Sequence, residues 1–287
     1  MLFKLAQPLI FLLSYLPFRV LYGISNFLYF LLYKVLKYRV STVRQNLLRA
    51  FPNEDKIAIK NREMHFYAHF CDLLVEGLKF FSIKDEQLKK RCYFDNTELF
   101  TKYFEQGQSV IVVMGHSGNW EWSSAAMSLT SPYQLQALYQ PIKNKPLDDF
   151  VHKNRTRFGA ELIPRKAALR HLIQDRNATD KATTFLTDQS PYQMDKVEWI
   201  DFFGTSTPFF NGFASIARKL KRPVLFVHVR KVKRGEYSIK TELIASKSEE
   251  LSEKELVTKF ANALEREIQE QPFNWLWTHK RWKRAHL

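Results

Sequence analysis

At 287 residues and 34.0 kDa the chain is long enough for one large α/β domain or two small ones, each with its own core. With 45% hydrophobic and 25% charged residues, 9 Gly and 11 Pro, it is neither disordered nor collagenous, and a mean hydropathy of −0.33 excludes a polytopic membrane protein. Cys71 and Cys92 alone exclude a disulfide framework and a Cys-based zinc site, and the net charge of +15 sits mostly at the ends: seven cations from Lys4 to Arg49 precede the first acid, Glu54, and Lys280, Arg281, Lys283 and Arg284 follow the last, Glu270.

A nucleic-acid binder spreads its basic footprint over a folded face. Here an apolar-basic head and a Trp-basic tail carry the excess, a pattern suited to an anionic membrane surface, and nucleic acid is not an expected partner. Residues 1–36 read as an N-terminal membrane anchor and 37–287 as one folded domain. Arg19 splits the head into two uncharged runs, Leu5–Phe18 and Val20–Tyr33. Each is short of the ~20 apolar residues a span requires. The segment is therefore one span with a snorkelling Arg19 or a helical hairpin lying in one leaflet, with a buried amphipathic helix of a soluble domain as the alternative. The basic cluster from Lys34 to Arg49 stays cytoplasmic in both cases.

Residues 38–50 and 56–81 have helical patterns, separated by the breaker Phe51-Pro52-Asn53-Glu54-Asp55. Strands and helices then alternate. Ser109–Met114 is a continuous apolar strand, buried on both faces. It is followed by a helix at Glu121–Leu129, a strand at Leu135–Tyr139, a helix at Pro146–Phe158, a strand at Glu161–Pro164, a helix at Ala167–Arg176 and a strand at Ala182–Thr187. A strand at Val197–Phe203, a helix at Pro208–Leu220, strands at Val224–Lys231 and Tyr237–Ile244, and a helix at Ser252–Gln269 complete the order. This rhythm specifies a single α/β domain with a mixed, mostly parallel sheet flanked by helices.

Ligands of open α/β sheets bind beyond the carboxyl ends of the strands. The first such end carries Gly115-His116-Ser117-Gly118-Asn119-Trp120-Glu121. His116 and Glu121 are five residues apart and would not share a face of a regular helix, about 140° apart in rotation. With His116 in the turn before the helix the two converge: the carboxylate orients one imidazole nitrogen and leaves the other as a base. On spacing alone, a capping histidine and a surface glutamate fit the pattern too. Trp275, Trp277 and Trp282 beside the terminal cations read as an interfacial belt, or alternatively as part of a C-terminal helix packed on the domain.

The run Gly115–Glu121 resembles the HxxxxE/D motif of the glycerolipid-type acyltransferases. Nearly the whole chain resembles the late acyltransferases of lipid A biosynthesis, the lauroyl/myristoyl transferases. The resemblance rests on motifs in family order: the apolar head, Tyr38-Arg39 with Val43-Arg44-Gln45-Asn46-Leu47 and Phe51-Pro52, the Gly115–Glu121 run, and Leu138-Tyr139-Gln140-Pro141 with 143–150. Arg155 and Arg157, Thr187-Asp188-Gln189, Phe202-Phe203-Gly204, Thr207 with Gly212 and Ala214, and Pro272–Trp282 follow.

The resemblance implies acyl transfer from a thioester on acyl-carrier protein to a hydroxyl of a lipid A precursor, at the cytoplasmic side of the inner membrane and in contact with its lipids. His116 is then the general base and Glu121 its partner. Arg157, Arg155, Asp188, Asn119, Gly118 and Arg165 are the expected substrate-binding residues, with backbone N–H groups near Gly118 or an arginine holding the oxyanion. No metal and no cofactor are expected. The family usually has Tyr-Arg-Pro where this chain has Tyr139-Gln140-Pro141, which leaves open the same chemistry on an aminolipid, a phosphatidylinositol mannoside or a pigment. A non-catalytic membrane-binding protein is the alternative from another class.

Overall fold

A computed structural model describes residues 2–285. Helices α1 (Leu2–Ser14) and α2 (Phe18–Tyr29) form a hairpin broken before Pro17, and a π-helical turn, Phe30–Val35, extends α2. The two arms, Gln7–Ser14 and Phe18–Val35, are bent by 117°, and no single helix among the described residues is long and apolar enough to cross a membrane. Polar groups fix one side of the hairpin to α4 (Lys56–Lys79). Tyr22 donates to Glu76 Oε1 (3.0 Å), Ser25 to Asp72 Oδ1 (2.7 Å), and Lys79 to the carbonyls of Ser14 and Leu16 (3.0 and 3.1 Å). The other side presents Leu9, Phe11, Leu12, Tyr15, Val20, Phe27 and Phe30 to the outside.

After α3 (Val40–Ala50) and α4 come α5 (Asp85–Arg91), β1 (Cys92–Phe94) and α6 (Glu98–Glu105), three elements the sequence pattern does not announce. The chain continues through β2 (Val110–Met114), α7 (Trp120–Thr130), β3 (Gln134–Tyr139), α8 (Lys145–Thr156), β4 (Glu161–Pro164), α9 (Ala168–Gln174) and β5 (Lys181–Leu186). It ends with β6 (Val197–Phe202), β7 (Thr205–Phe210), α10 (Gly212–Leu220), β8 (Val224–Lys233), β9 (Glu236–Ala245) and α11 (Glu253–Glu270). Seven strands make one sheet in the order β1-β9-β8-β2-β5-β3-β4, parallel throughout except where β8 meets β9.

All of β2 is buried, because helices cover both faces of the sheet. Successive side chains alternate in direction. Ile111 and Val113 therefore enter a core with Phe213, Phe226, Phe260 and Leu264, while Val110, Val112 and Met114 enter another with Trp122, Leu135 and Val227.

Two expectations are corrected. The helix expected from Pro208 begins at Gly212, since Thr205–Phe210 is the second strand of a separate β6–β7 hairpin. Phe203 and Gly204, both at positive φ (53° and 67°), form its turn, the backbone that a two-residue hairpin loop demands. Nor are the three C-terminal tryptophans a belt. Trp275, Trp277 and Trp282 are 2%, 0% and 6% exposed, and Trp282 stacks on Phe202 at 5.7 Å.

Candidate active site

β2 and β5 are parallel neighbours in which Met114 pairs with Leu186. His116 and Asp188 each lie two residues beyond that pair, so the register alone brings them together. The imidazole Nδ1 is 2.6 Å from Asp188 Oδ1, and the His116 backbone N–H donates to Oδ2 (3.1 Å). Trp275 Nε1–H also donates to Oδ2, at 2.8 Å.

These donors set the charge states. Burial alone raises the Asp188 carboxyl, but the His116 charge and the hydrogen bonds from His116 and Trp275 overcome it and hold it down at about 2. Burial likewise pushes His116 down, and the charge and hydrogen bond of Asp188, with a further contribution from Glu121, reverse this and raise it. An ionised Asp188 makes Nδ1 the protonated nitrogen of the neutral imidazole, leaving Nε2 as the basic one. The amide nitrogen of Gln189 lies 3.4 Å from that Nε2, and Trp120 packs edge-on against the ring at 5.2 Å.

Glu121 is therefore not the brace of His116. α7 begins at Trp120, so Glu121 is already on the helix and turns toward α8, where Arg155 holds it through two hydrogen bonds, Nε to Oε2 (2.9 Å) and Nη2 to Oε1. This bidentate pair lies within the same cavity as His116.

The turn between β2 and α7 is itself a piece of packing. A Cβ on Gly115 would lie 2.6 Å from Leu264 Cδ1. Gly118, at φ +54°, presses on Val229, and its N–H donates to Asn274 O at 2.8 Å. That N–H is thus committed within the protein, and the oxyanion expected near Gly118 would fall to neighbouring N–H groups or to an arginine. Asn119, 4% exposed, caps α7 by accepting from Trp122 N (3.0 Å) and donates to Glu76 (2.8 Å), so both ends of its amide are engaged within the protein.

Arg157 is a further correction. It donates to the carbonyls of Phe80 and Ile83 (2.8 and 2.7 Å) just beyond α4, and it does not line the cavity. It supplies positive charge where unpaired helix carbonyls gather. Arg165, by contrast, does line the cavity, its guanidinium 4.8 Å from the Tyr192 ring and 4.5 Å from Phe210.

The segment after α11 closes the site from behind. Ser117 bridges to Trp275, and Leu276 N–H donates to His116 O (3.1 Å). Glu267, fully buried, accepts from Ser117 Oγ and Val229 N–H (both 2.8 Å), and burial pushes its carboxyl up to about 8. The native state therefore binds a proton that the unfolded chain releases near 4.5, so this group's contribution to stability falls as pH rises from 4.5 to about 8. We expect Glu267→Gln to melt above the wild type at pH 9 and to lose this advantage at pH 5. Equal shifts at both pH values would show that ionisation of Glu267 is not what costs stability.

The cavity measures about 880 Å³ and opens along the carboxyl edge of the sheet. His116 reaches it from β2, Tyr139 and Gln140 from β3, Arg165 and Lys166 from β4, and Gln189 and Ser190 from β5. Leu162, Leu169, Phe185, Phe213 and Ile216 supply apolar walls.

The family model for the bacterial lipid A biosynthesis acyltransferases matches residues 3–284. The chain belongs to that family. It is accordingly an acyltransferase, of a family that serves lipid A biosynthesis. No curated protein matches the chain closely enough to add a relative. The match covers the hairpin, the sheet and nearly all of the segment after α11, so every residue lining the cavity falls within it.

Among the residues expected from sequence, His116, Glu121, Arg155, Asp188 and Arg165 come together at the cavity or directly behind it, and Gly118, Asn119 and Arg157 do not. Gln189 and Trp275 were not singled out as site residues. Gln189 adjoins the strand-end aspartate, which was the available signal; Trp275 had none, because its contact with Asp188 spans 87 positions.

Proposed function

We propose that this acyltransferase moves a fatty acyl chain from an acyl-carrier-protein thioester to a hydroxyl of a lipid A precursor, with His116 as general base and Asp188 as its brace. The acceptor hydroxyl loses its proton to His116 Nε2 as its oxygen attacks the thioester carbonyl. The tetrahedral intermediate collapses to the ester, and the departing thiolate takes the proton back from the imidazolium. Since the Gly118 N–H is engaged, the Gln189 amide and Arg155, both on the cavity wall, are the donors that suit the oxyanion. The apolar walls suit the acyl chain, and Arg165, Lys166 and Lys196 suit phosphates of the acceptor or of the donor's phosphopantetheine arm. The exposed apolar side of the N-terminal hairpin suits an anchor on the cytoplasmic side of the inner membrane.

The observation that carries the reading is the His116–Asp188 pair at an apolar cavity. Gln140, also on the cavity wall, is what favours keeping a second acceptor in view: an aminolipid, a phosphatidylinositol mannoside or a pigment. The test is purified protein with acyl-carrier protein loaded with a fatty acid and a tetra-acylated lipid A precursor, with the product read by mass. Asp188→Asn should lower kcat by about 10²–10⁴-fold. It should also move the acid limb of the kcat/KM profile to lower pH, because the removed carboxylate is what raises His116. Glu121→Gln should cost less. A larger loss in Glu121→Gln than in Asp188→Asn would return the bracing role to Glu121, and product only with another lipid would reassign the acceptor.

A further inference from the structure

The two basic ends of the chain, far apart in sequence, meet in space. α3 and the segment after α11 form a second cleft of about 480 Å³, which shares no residue with the catalytic cavity. Arg49 comes from α3, and Lys280 and Lys283 from the terminal segment; Trp282 forms part of its wall. No carboxylate lines it, and none of these three cations is ion-paired among the described residues. Arg281, the remaining cation of that run before Lys283, is fully buried and donates to Pro208 O (2.9 Å).

The walls are fixed by the fold. Asn46 Nδ2 donates to the carbonyls of Trp277 and His279 (both 2.8 Å), Arg39 donates to Thr278 O (3.0 Å), and Arg49 lies over the Trp282 ring at 5.8 Å. Three like charges are thus held at one cleft with no acid to offset them, which disfavours the empty state and favours an anion. Leu48 on the wall is 46% exposed, and Leu36 and Tyr38, just before α3, are 60% and 41% exposed. Cations beside exposed apolar side chains match a molecule with a phosphate at one end and hydrocarbon at the other.

We propose that this cleft binds the headgroup of an anionic phospholipid of the bilayer, with Arg49, Lys280 and Lys283 around the phosphate and Leu48 toward the acyl chains. A concave site of this size suits a glycerol phosphate better than the broad acidic face of a protein. The inference does not depend on the acyl acceptor or on the His116 chemistry, because binding is the readout.

The test uses the full-length protein with vesicles of phosphatidylcholine alone or mixed with phosphatidylglycerol. The measured quantity is the ratio of affinities for the anionic and neutral vesicles. The triple variant R49Q/K280Q/K283Q should lower that ratio by about tenfold or more while leaving affinity for neutral vesicles unchanged. K280Q/K283Q, which alters only exposed side chains, should lower it in the same direction and covers the case in which loss of Arg49 disturbs Trp282. Neutralising Lys90, Lys102 and Lys219, exposed cations of other elements, should leave the ratio as in the wild type. An unchanged ratio in both cleft variants would overturn the proposal, as would an equal fall in the control. A higher KM for acyl-carrier protein or for the glycolipid acceptor, with the ratio unchanged, would also overturn it and assign the cleft to that substrate.

Discussion

Replacing His116 with alanine should lower kcat by about 10²–10⁴-fold, the range that loss of a positioned general base produces. The residual rate should lose the acid limb of its pH profile, because the group whose protonation shuts the reaction down is gone. His116 sits in a turn whose backbone hydrogen bonds come from the Asp188 carboxylate and the Leu276 N–H, neither of which needs the imidazole for its backbone contact. The variant should therefore fold, and circular dichroism and thermal melting would establish that. Steady-state kinetics on the acyl-carrier-protein donor would separate a kcat effect from a KM effect. Full activity in a folded His116→Ala protein would remove the general-base role.

Gly118→Ala should be strongly destabilising. The residue holds φ at +54°, where an L side chain costs about 1–2 kcal/mol. A new Cβ would also stand 2.6 Å from Val229 Cγ1 and 3.2 Å from the Val229 carbonyl oxygen. Overpacking of this kind adds about 1–3 kcal/mol, for a total of roughly 2–5. The melting temperature should fall by roughly 3–8 °C, with kcat reduced because His116 lies two residues away on the same turn. Val229→Ala in the same chain should restore part of the loss by opening the space, a coupling a double-mutant cycle would measure. If Gly118→Ala melts with the wild type, the turn has slack and the strand–helix junction is looser than its contacts indicate.

How far the fold could be read from the residues depended on the length and purity of each pattern. β2 and β4 were legible within a residue, the first as an unbroken apolar run and the second between clear breaks. The region from α5 to α6 was not: β1 has three residues, too few to carry an alternation, and α5 is charged along its length. Pro208 suggested a helix start, yet it sits opposite Trp199 in a two-stranded hairpin, where a missing N–H is tolerated. The tryptophans misled for a related reason, since aromatic residues beside cations have the same composition in an interior as at an interface.

The site shows the same division. That His116 stands at a strand end was visible in the chain. That β5 inserts between β2 and β3 was not, because strand order is a property of the sheet and leaves no local mark. Spacing therefore offered Glu121, five residues away, while the register delivered Asp188 from a strand 72 residues on. Gly118, Asn119 and Arg157 stand out as motif members, and their hydrogen bonds run to Asn274, to Trp122 and Glu76, and to the carbonyls just beyond α4.

The contact between Trp275 and Asp188 has a consequence for biosynthesis. The indole that fixes the aspartate belongs to a segment synthesised after every strand and helix of the domain. A nascent chain can assemble its sheet while that stretch is still inside the ribosomal tunnel, but the Asp188 carboxylate lacks its indole donor until the stretch emerges. Full hydrogen bonding of the Asp188 carboxylate is thus delayed until the stretch after α11 has docked, so the strand ends can assemble before their electrostatics are complete.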